Sequence, residues 1–260
     1  MPNNNFCLAA EKLKFRHTIT ERLCWCVPLL LTAGAACLAG DYVQIDSFNW
    51  WYAGILPGFL TLLGCQVIGK EEQVGNQLVL TLPVDPVRVW DAKVIYCARM
   101  LAVSNLALGI LVFTVEALAE LLFGAAQIYE IRPSQIFAAC ILLSVCCLWQ
   151  IPVCMWMKLR LGMLAAFLLN LVFGIIGTVY FSLTDWWLLY PHAVPARLMC
   201  AVIRVLPNGL VAREGSLTFS PELLEMKAVI PGAAVCTVVF LTVWVLTRRW
   251  YGRAASTALH

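Results

Sequence analysis

The sequence predicts an all-α, polytopic membrane protein with six transmembrane helices. Three observations carry this reading. The 260 residues are 62% hydrophobic and only 13% charged, where a soluble domain carries about 25% charge. Mean hydropathy is +0.82. Several apolar runs approach or exceed the roughly 20 residues that cross a bilayer, and in lipid a helix satisfies its own backbone within one segment.

The chain opens on Met1-Pro-Asn-Asn-Asn and turns apolar only near Leu23. That is not the layout of a cleaved signal, so the first span is expected to set insertion. Residues 1–22 are read as an N-terminal cytoplasmic amphipathic helix. Leu8, Leu13, Phe15 and Ile19 alternate there with Lys12, Lys14, Arg16, His17 and Arg22, a pattern suited to lie along a leaflet. A solvated basic tail is the plain alternative.

Residues 23–247 form the six-helix transmembrane domain, and 248–260 a cytoplasmic tail. Span one covers about Leu23 to Ala39. Span two covers about Trp50 to Ile68, opened by Phe48-Asn-Trp-Trp-Tyr as an aromatic anchor at the outer boundary. It holds Gly54-x-x-x-Gly58 with Pro57 inside, which predicts close helix packing and a kink. Residues 69–93 form a cytoplasmic loop, the only inner connection long enough to hold structure of its own. Span three begins near Val94 and runs past Phe113 toward Phe123. At 1.5 Å per residue it reaches the outer boundary near residues 113 to 116. Glu116 and Glu120, one turn apart on one face, are therefore expected there.

Spans four and five cover about Ile136 to Met157 and Met163 to Leu183. The segment 185–227 opens on Asp185-Trp186-Trp187. It predicts a short helix over Pro195 to Leu206, a turn at Pro207-Asn-Gly and a helix start at Ser220-Pro-Glu, as outer-leaflet or re-entrant material. Span six covers about Ala228 to Leu246.

Orientation follows from basic residues. The N-terminal segment, the loop after span two with Arg99 at the start of span three, the loop after span four and the tail hold 13 of the 18 Lys and Arg, so both termini are expected in the cytoplasm. The opposite side carries nine of the 15 acids, among them Glu116 and Glu120. Such a face attracts a cationic ligand; solvated loop acids are the bland account. Trp50, Trp51, Trp186 and Trp187 are expected at the outer boundary, where interface anchoring competes with ligand contact.

Little else suggests chemistry. Gly64-Cys-Gln-Val-Ile-Gly-Lys70 imitates a P-loop, but Glu71 stands where a magnesium-holding Ser or Thr is required, and the stretch ends a membrane helix rather than following a strand. Most of the twelve cysteines fall in apolar runs, where they behave as small hydrophobes. With no Cys-x-x-Cys pair and three scattered histidines, no metal site is expected. No catalysis, cofactor or nucleic-acid module is expected either. The spans carry no paired ionisable groups at central positions, which disfavours a proton-coupled transporter. Asn105, Asn170, Gln66 and Gln150 are the deepest polar side chains, with interhelical glue as their expected role.

Phe48-Asn-Trp-Trp-Tyr with Leu56-Pro-Gly, then Leu82-Pro83 with Trp90-x-Ala92-Lys93, and later Leu206-Pro-Asn-Gly209 resemble the permease subunits of type-2 ABC exporters, and lantibiotic-immunity permeases of the E type in particular. The resemblance covers most of the chain. It implies a six-helix permease with short outer helices before the last span, in a bacterial plasma membrane. It also implies two copies of a cytosolic ABC ATPase, which would bind ATP and Mg, and a second related permease subunit. The cargo would be a cationic antimicrobial peptide of lantibiotic type, expelled from the membrane to give immunity. In that scheme the loop 69–93 would be the coupling loop, with Asn76, Leu78, Leu82, Pro83, Asp85, Arg88, Trp90 and Lys93 meeting the ATPase. The N-terminal helix would be the interfacial connecting helix. Trp50, Trp51, Tyr52, Trp186 and Trp187 would offer amphipathic contact to peptide, and Glu116 and Glu120 would favour its cationic groups. Another cargo (a bacitracin-like peptide, a lipid or a drug) and a non-transporting peptide sensor or scaffold are the alternatives.

Overall fold

A computed structural model describes residues 4–70, 85–124 and 128–257. The described residues are 84% helical, and among them the only β-pairing is an isolated bridge between Val205 and Val211. Among the described residues six helical segments are long and apolar enough to cross a membrane: Ile19–Leu38, Gly40–Gly69, Pro86–Leu122, Pro133–Leu161, Met163–Leu183 and Met226–Ala254. This is an all-α membrane-embedded protein.

Helix α1 (Asn4–Phe15) precedes the first span, α2 (Ile19–Leu38). The two are separated because His17 adopts a left-handed backbone, φ 60°, which ends the helix. Thr18 is extended, and the Glu21 carboxylate accepts from the His17 N–H at 2.8 Å, which satisfies a backbone donor in the turn between the two helices. The amphipathic helix is thus shorter than the 22 residues expected from its pattern, and span one starts four residues earlier.

The second span begins at Gly40, ten residues before the expected Trp50. A 3-10 turn leads into α3 (Val43–Trp50), a π-helical turn over Trp51–Ile55, and α4 (Leu56–Gly69). The π turn sits just before Pro57 and carries a bond from the Leu56 N–H to the Trp51 carbonyl. Pro57 has no N–H to return to Ala53, and the wider turn absorbs that loss.

Helix α5 (Pro86–Phe123) is the longest, about 57 Å by its rise per residue. It begins eight residues before the expected Val94. Asp85 caps it, accepting from the Val87 N–H at 3.0 Å, and Pro86 occupies the first turn, where a missing N–H costs nothing. Gly124, φ 64°, closes the other end. Span four is two helices, α6 (Pro133–Cys147) and α7 (Gln150–Leu161). Pro152 cannot donate to Leu148, and the chain breaks there with a tighter bond from Ile151 N to Leu148 O, 3.1 Å. Gly162 then turns the chain sharply at φ 87° into α8 (Met163–Val179).

Helix α9 (Ala193–Ile203) is buried at ten of its eleven residues. It is too short to span and packs against α6 and α8 and the last helix, α10 (Val229–Thr257). The expected turn at Pro207-Asn-Gly is present, with Gly209 at φ 81°.

Helix α1, the Gly69 end of α4, the start of α5, the Gly162 turn and the latter part of α10 lie together at one end, the α1 end. Contacts there include Lys70 to the Lys14 carbonyl at 3.0 Å and Arg160 over the Trp250 ring. The opposite end gathers residues 40–44, 128–135, the end of α8 and α9, for example through Ile128 N to Asp41 O at 3.1 Å.

Close packing relies on glycine where α8 meets the 190–192 stretch. A Cβ at Gly177 would lie 2.7 Å from His192 Cβ and 2.9 Å from its backbone carbon, whereas one at Gly54 meets nothing within 4 Å. Gly177→Ala is expected to cost about 1–3 kcal/mol, the range for overpacking. Gly54→Ala is expected to stay within about 1 kcal/mol of the parent protein. Thermal unfolding in detergent checks both.

Candidate functional site

The first two turns of α5 hold three separate helices. Trp90 is fully buried and its ring lies 5.0 Å from that of Tyr251 on α10. Asp91 accepts from Arg248 Nε at 2.9 Å with both oxygens and from Trp244 Nε1 at 3.0 Å. Lys93, one turn on from Trp90, is 0% exposed. Its Nζ reaches Glu11 of α1 at 3.3 and 3.4 Å and the Val67 carbonyl of α4 at 3.1 Å. Glu11 is itself 2% exposed and also accepts from Lys14 at 2.7 Å. A residue expected at the end of an exposed loop is instead an internal cation joining α1, α4 and α5.

Beside it, Phe15 stacks on Tyr96 of α5 at 5.1 Å, and Lys70 sits 5.0 Å above the Phe15 ring. Apolar contact and ion pairing therefore fix α1 on the same surface. Of the other residues expected to meet an ATPase, Asp85 is exposed as the α5 cap and Arg88 is half-buried. Asn76, Leu78, Leu82 and Pro83 lie outside the described residues.

At the opposite end the two α5 carboxylates border a cleft of about 480 Å³ with Gln44, Glu130, Arg132 and Phe113. Gln44 donates to Glu116 and accepts from the Ile131 N–H at 2.6 Å. Glu116 is half-buried and Glu120 exposed. The structure brings these acids together with a third, Glu130, that the sequence reading counted only as part of the outer charge.

The aromatic rim is corrected in part. Trp51 and Tyr52 are buried inside the bundle, as is Trp187; Trp50 is half-buried, and Trp186 is 65% exposed. Because the second span starts at Gly40, the Trp-Trp-Tyr stretch lies about three turns inside it rather than at its mouth. Trp51 Nε1 donates to Asn105 Oδ1 at 2.8 Å, and Asn105 in turn donates to Ser144 at 2.9 Å. Arg197 lies 5.6 Å over the Trp187 ring.

Two stretches quoted separately in the sequence meet here. Asn49 Nδ2 donates to the carbonyls of Leu206 and Pro207, both at 3.2 Å, and the Tyr52 hydroxyl donates to Leu206 O at 3.3 Å. Phe48-Asn-Trp-Trp-Tyr and Leu206-Pro-Asn-Gly209 are two halves of one buried contact. A Cβ at Gly209 would come within 3.5 Å of Asn49 Oδ1.

A polar cluster also crosses the middle of the bundle. Asn170 Nδ2 lies 2.9 Å from Pro57 O, 3.1 Å from Thr61 Oγ1 and 3.0 Å from Gln150 Oε1. Asn170 Oδ1 faces His192 Nε2 at 3.1 Å, and His192 packs edge-on to Trp149. Burial pushes the His192 imidazole down to about 4, so it stands neutral in this cluster. Asn170 and Gln150 act as the expected glue. His192 was not legible as their partner, since the loop that returns it to α8 has no local sequence signature.

Among the described residues no group of three or more His, Cys, Asp or Glu could hold a metal ion, and the cysteines are free thiols. No protein-family model, curated protein or solved structure matches the chain.

The Lys93 arrangement makes a direct energetic claim. Lys93→Met leaves the Glu11 carboxylate buried without that partner, and breaking a buried pair costs about 3–5 kcal/mol. The paired change Lys93→Met with Glu11→Met is expected to cost less than the two single changes added together. A double-mutant cycle on unfolding in detergent reads this coupling.

Proposed function

We propose that this chain is a permease subunit of an ATP-driven ABC exporter that expels cationic antimicrobial peptides of lantibiotic type from the membrane. It works with a second related permease and two copies of a cytosolic ATPase that binds ATP and Mg. It resides in a bacterial plasma membrane, with the α1 end and both termini in the cytoplasm. The basic residues concentrated at that end support this orientation.

The observation that carries the reading is the Lys93 pair. Residues 70 and 85 flank the coupling loop at the same end as α1. Lys93 then ties α1 to α4 and α5, the helices on either side of that loop. A push on the loop is thereby delivered to a rigid three-helix unit rather than to a loose connection. In this scheme ATP binding by the partner moves the loop, α5 carries the displacement along its length, and the cleft beside Glu116 and Glu120 changes shape at the far end. A cationic peptide entering from the outer leaflet meets these acids and the exposed Trp186, which supply charge complementarity and amphipathic contact.

Co-purification with the genomically adjacent ATPase in mild detergent tests the assignment. The parent chain is expected to retain the ATPase, and Arg88→Glu to lose it, while Lys227→Glu at the opposite end keeps it. Failure of the parent chain to hold any ATPase would move the reading to a peptide sensor or scaffold.

A further inference from the structure

Two sulfurs from different spans meet near the α1 end. Cys24 belongs to α2, and its Sγ lies 3.4 Å from Met100 Sδ on α5. The thiol residue is 1% exposed and the thioether residue 4%. They stand 76 positions apart in the chain, so no spacing motif joins them; the packing of α2 along α5 does. Thr20, one turn before Cys24, lines a cleft of about 560 Å³ that opens at the α1 end. That cleft brings water to within a turn of the sulfur.

A third group marks the same place. Ser104, one turn on from Met100, is fully buried, and its hydroxyl has no hydrogen-bond partner. A helical serine or threonine can return its hydroxyl to the carbonyl four residues back, as Thr32, Thr61 and Ser144 do here. Ser104 does not, and lies beside the Cys24 thiol instead. A neutral thiol is a weak acceptor, and leaving a buried hydroxyl unpaired is costly. An anionic sulfur is a far stronger acceptor. The arrangement therefore suits a thiolate, which is the form of cysteine that holds a metal.

Charge balance selects the class of ion. Thiolate and thioether are soft ligands and favour soft cations such as copper(I). Two sulfurs suffice for such an ion, and with one thiolate it leaves no net charge in the bundle. A divalent ion would leave a net positive charge among apolar side chains, which is expensive. We propose that Cys24 and Met100 bind a soft monovalent cation of the copper(I) class. The thiol gives its proton to water in the cleft, the two sulfurs take up the ion, and the Ser104 hydroxyl donates to the thiolate. No electron is transferred, and the bound ion ties α2 to α5.

The test is carbon-13 NMR of the full chain in detergent, labelled at the methionine methyl groups. Silver(I) is the probe, as a copper(I) stand-in that keeps its oxidation state. Met100→Leu assigns the Met100 signal. One equivalent of silver(I) is expected to move that signal, and zinc(II) to leave it in place. Cys24→Ser retains Met100 and is expected to lose the shift. Ser104→Ala is expected to need about tenfold more silver(I) for half of the shift, as when a group that supports a metal ligand is lost. The other methionine signals show whether each variant is folded. The exposed Cys26 and Cys37 compete for the ion, and a Met100 signal that stays in place because they hold it overturns the proposal. So does an equal shift from zinc(II), a shift retained in Cys24→Ser, or an unchanged midpoint in Ser104→Ala.

Discussion

A buried ammonium is costly in an apolar bundle, and the structure is arranged around satisfying one. Lys93 has no exposure to solvent, so the Glu11 carboxylate and the Val67 carbonyl must be held within reach of it. That requirement draws α1 onto the bundle and fixes the end of α4 against the start of α5. Asp91, two residues earlier, fixes α10 in the same way through Arg248 and Trp244. Only 11% of the apolar window of the last span is buried, and these polar contacts and the Trp90–Tyr251 packing add to its contacts with α5, α6, α7 and α9. Buried ion pairs are weak sources of net stability but strong selectors of geometry once one partner is in place. Here they select how the helices meet at the end where residues 70 and 85 lie.

Much of the fold was legible in composition and hydropathy, because a span needs only length and apolarity to be recognised. All six segments, the short helix near 195–206 and the turn at Pro207-Asn-Gly emerge from those signals. The errors have a common cause. Residues 40–49 contain Asp41, Gln44, Asp46 and Asn49, which read as a loop, yet they are helical. Gln44 and Asn49 are tolerated inside because each meets backbone or carboxylate across the bundle. Residues 86–93 were likewise read as loop because Arg88, Asp91 and Lys93 interrupt the apolar pattern. The Asp85-Pro86 helix start was present in the sequence, and so was Thr18-x-x-Glu21 before span one. Both are capping signals that a hydropathy reading passes over.

The candidate sites were legible in a different proportion. Sequence spacing placed Glu116 and Glu120 on one face, and the structure adds Gln44 and Glu130 from other elements. The motifs around Trp51 and Leu206 were noticed as patterns, but their union in one contact depends on a return path through residues 185–212 that no local periodicity encodes. Trp90 and Lys93 were assigned an outward role; burial gives them an inward one. In the proposed scheme an inward position suits them to transmit motion from the loop, since a positioning contact transmits displacement only if it is rigid. The paired α1 contacts, Phe15 on Tyr96 and Glu11 on Lys93, supply that rigidity through both packing and charge.

The measurement that bears most directly on the whole account is clearance of a fluorescent cationic lanthionine peptide from proteoliposomes holding this chain, the second permease and the ATPase. The account expects membrane-bound peptide to fall only when ATP is present. It expects the rate to drop about threefold or more with Glu116→Gln and Glu120→Gln together, as the attractive field at the outer cleft is removed. Peptide that stays bound while ATP is hydrolysed would contradict export and leave binding alone as the role of the chain.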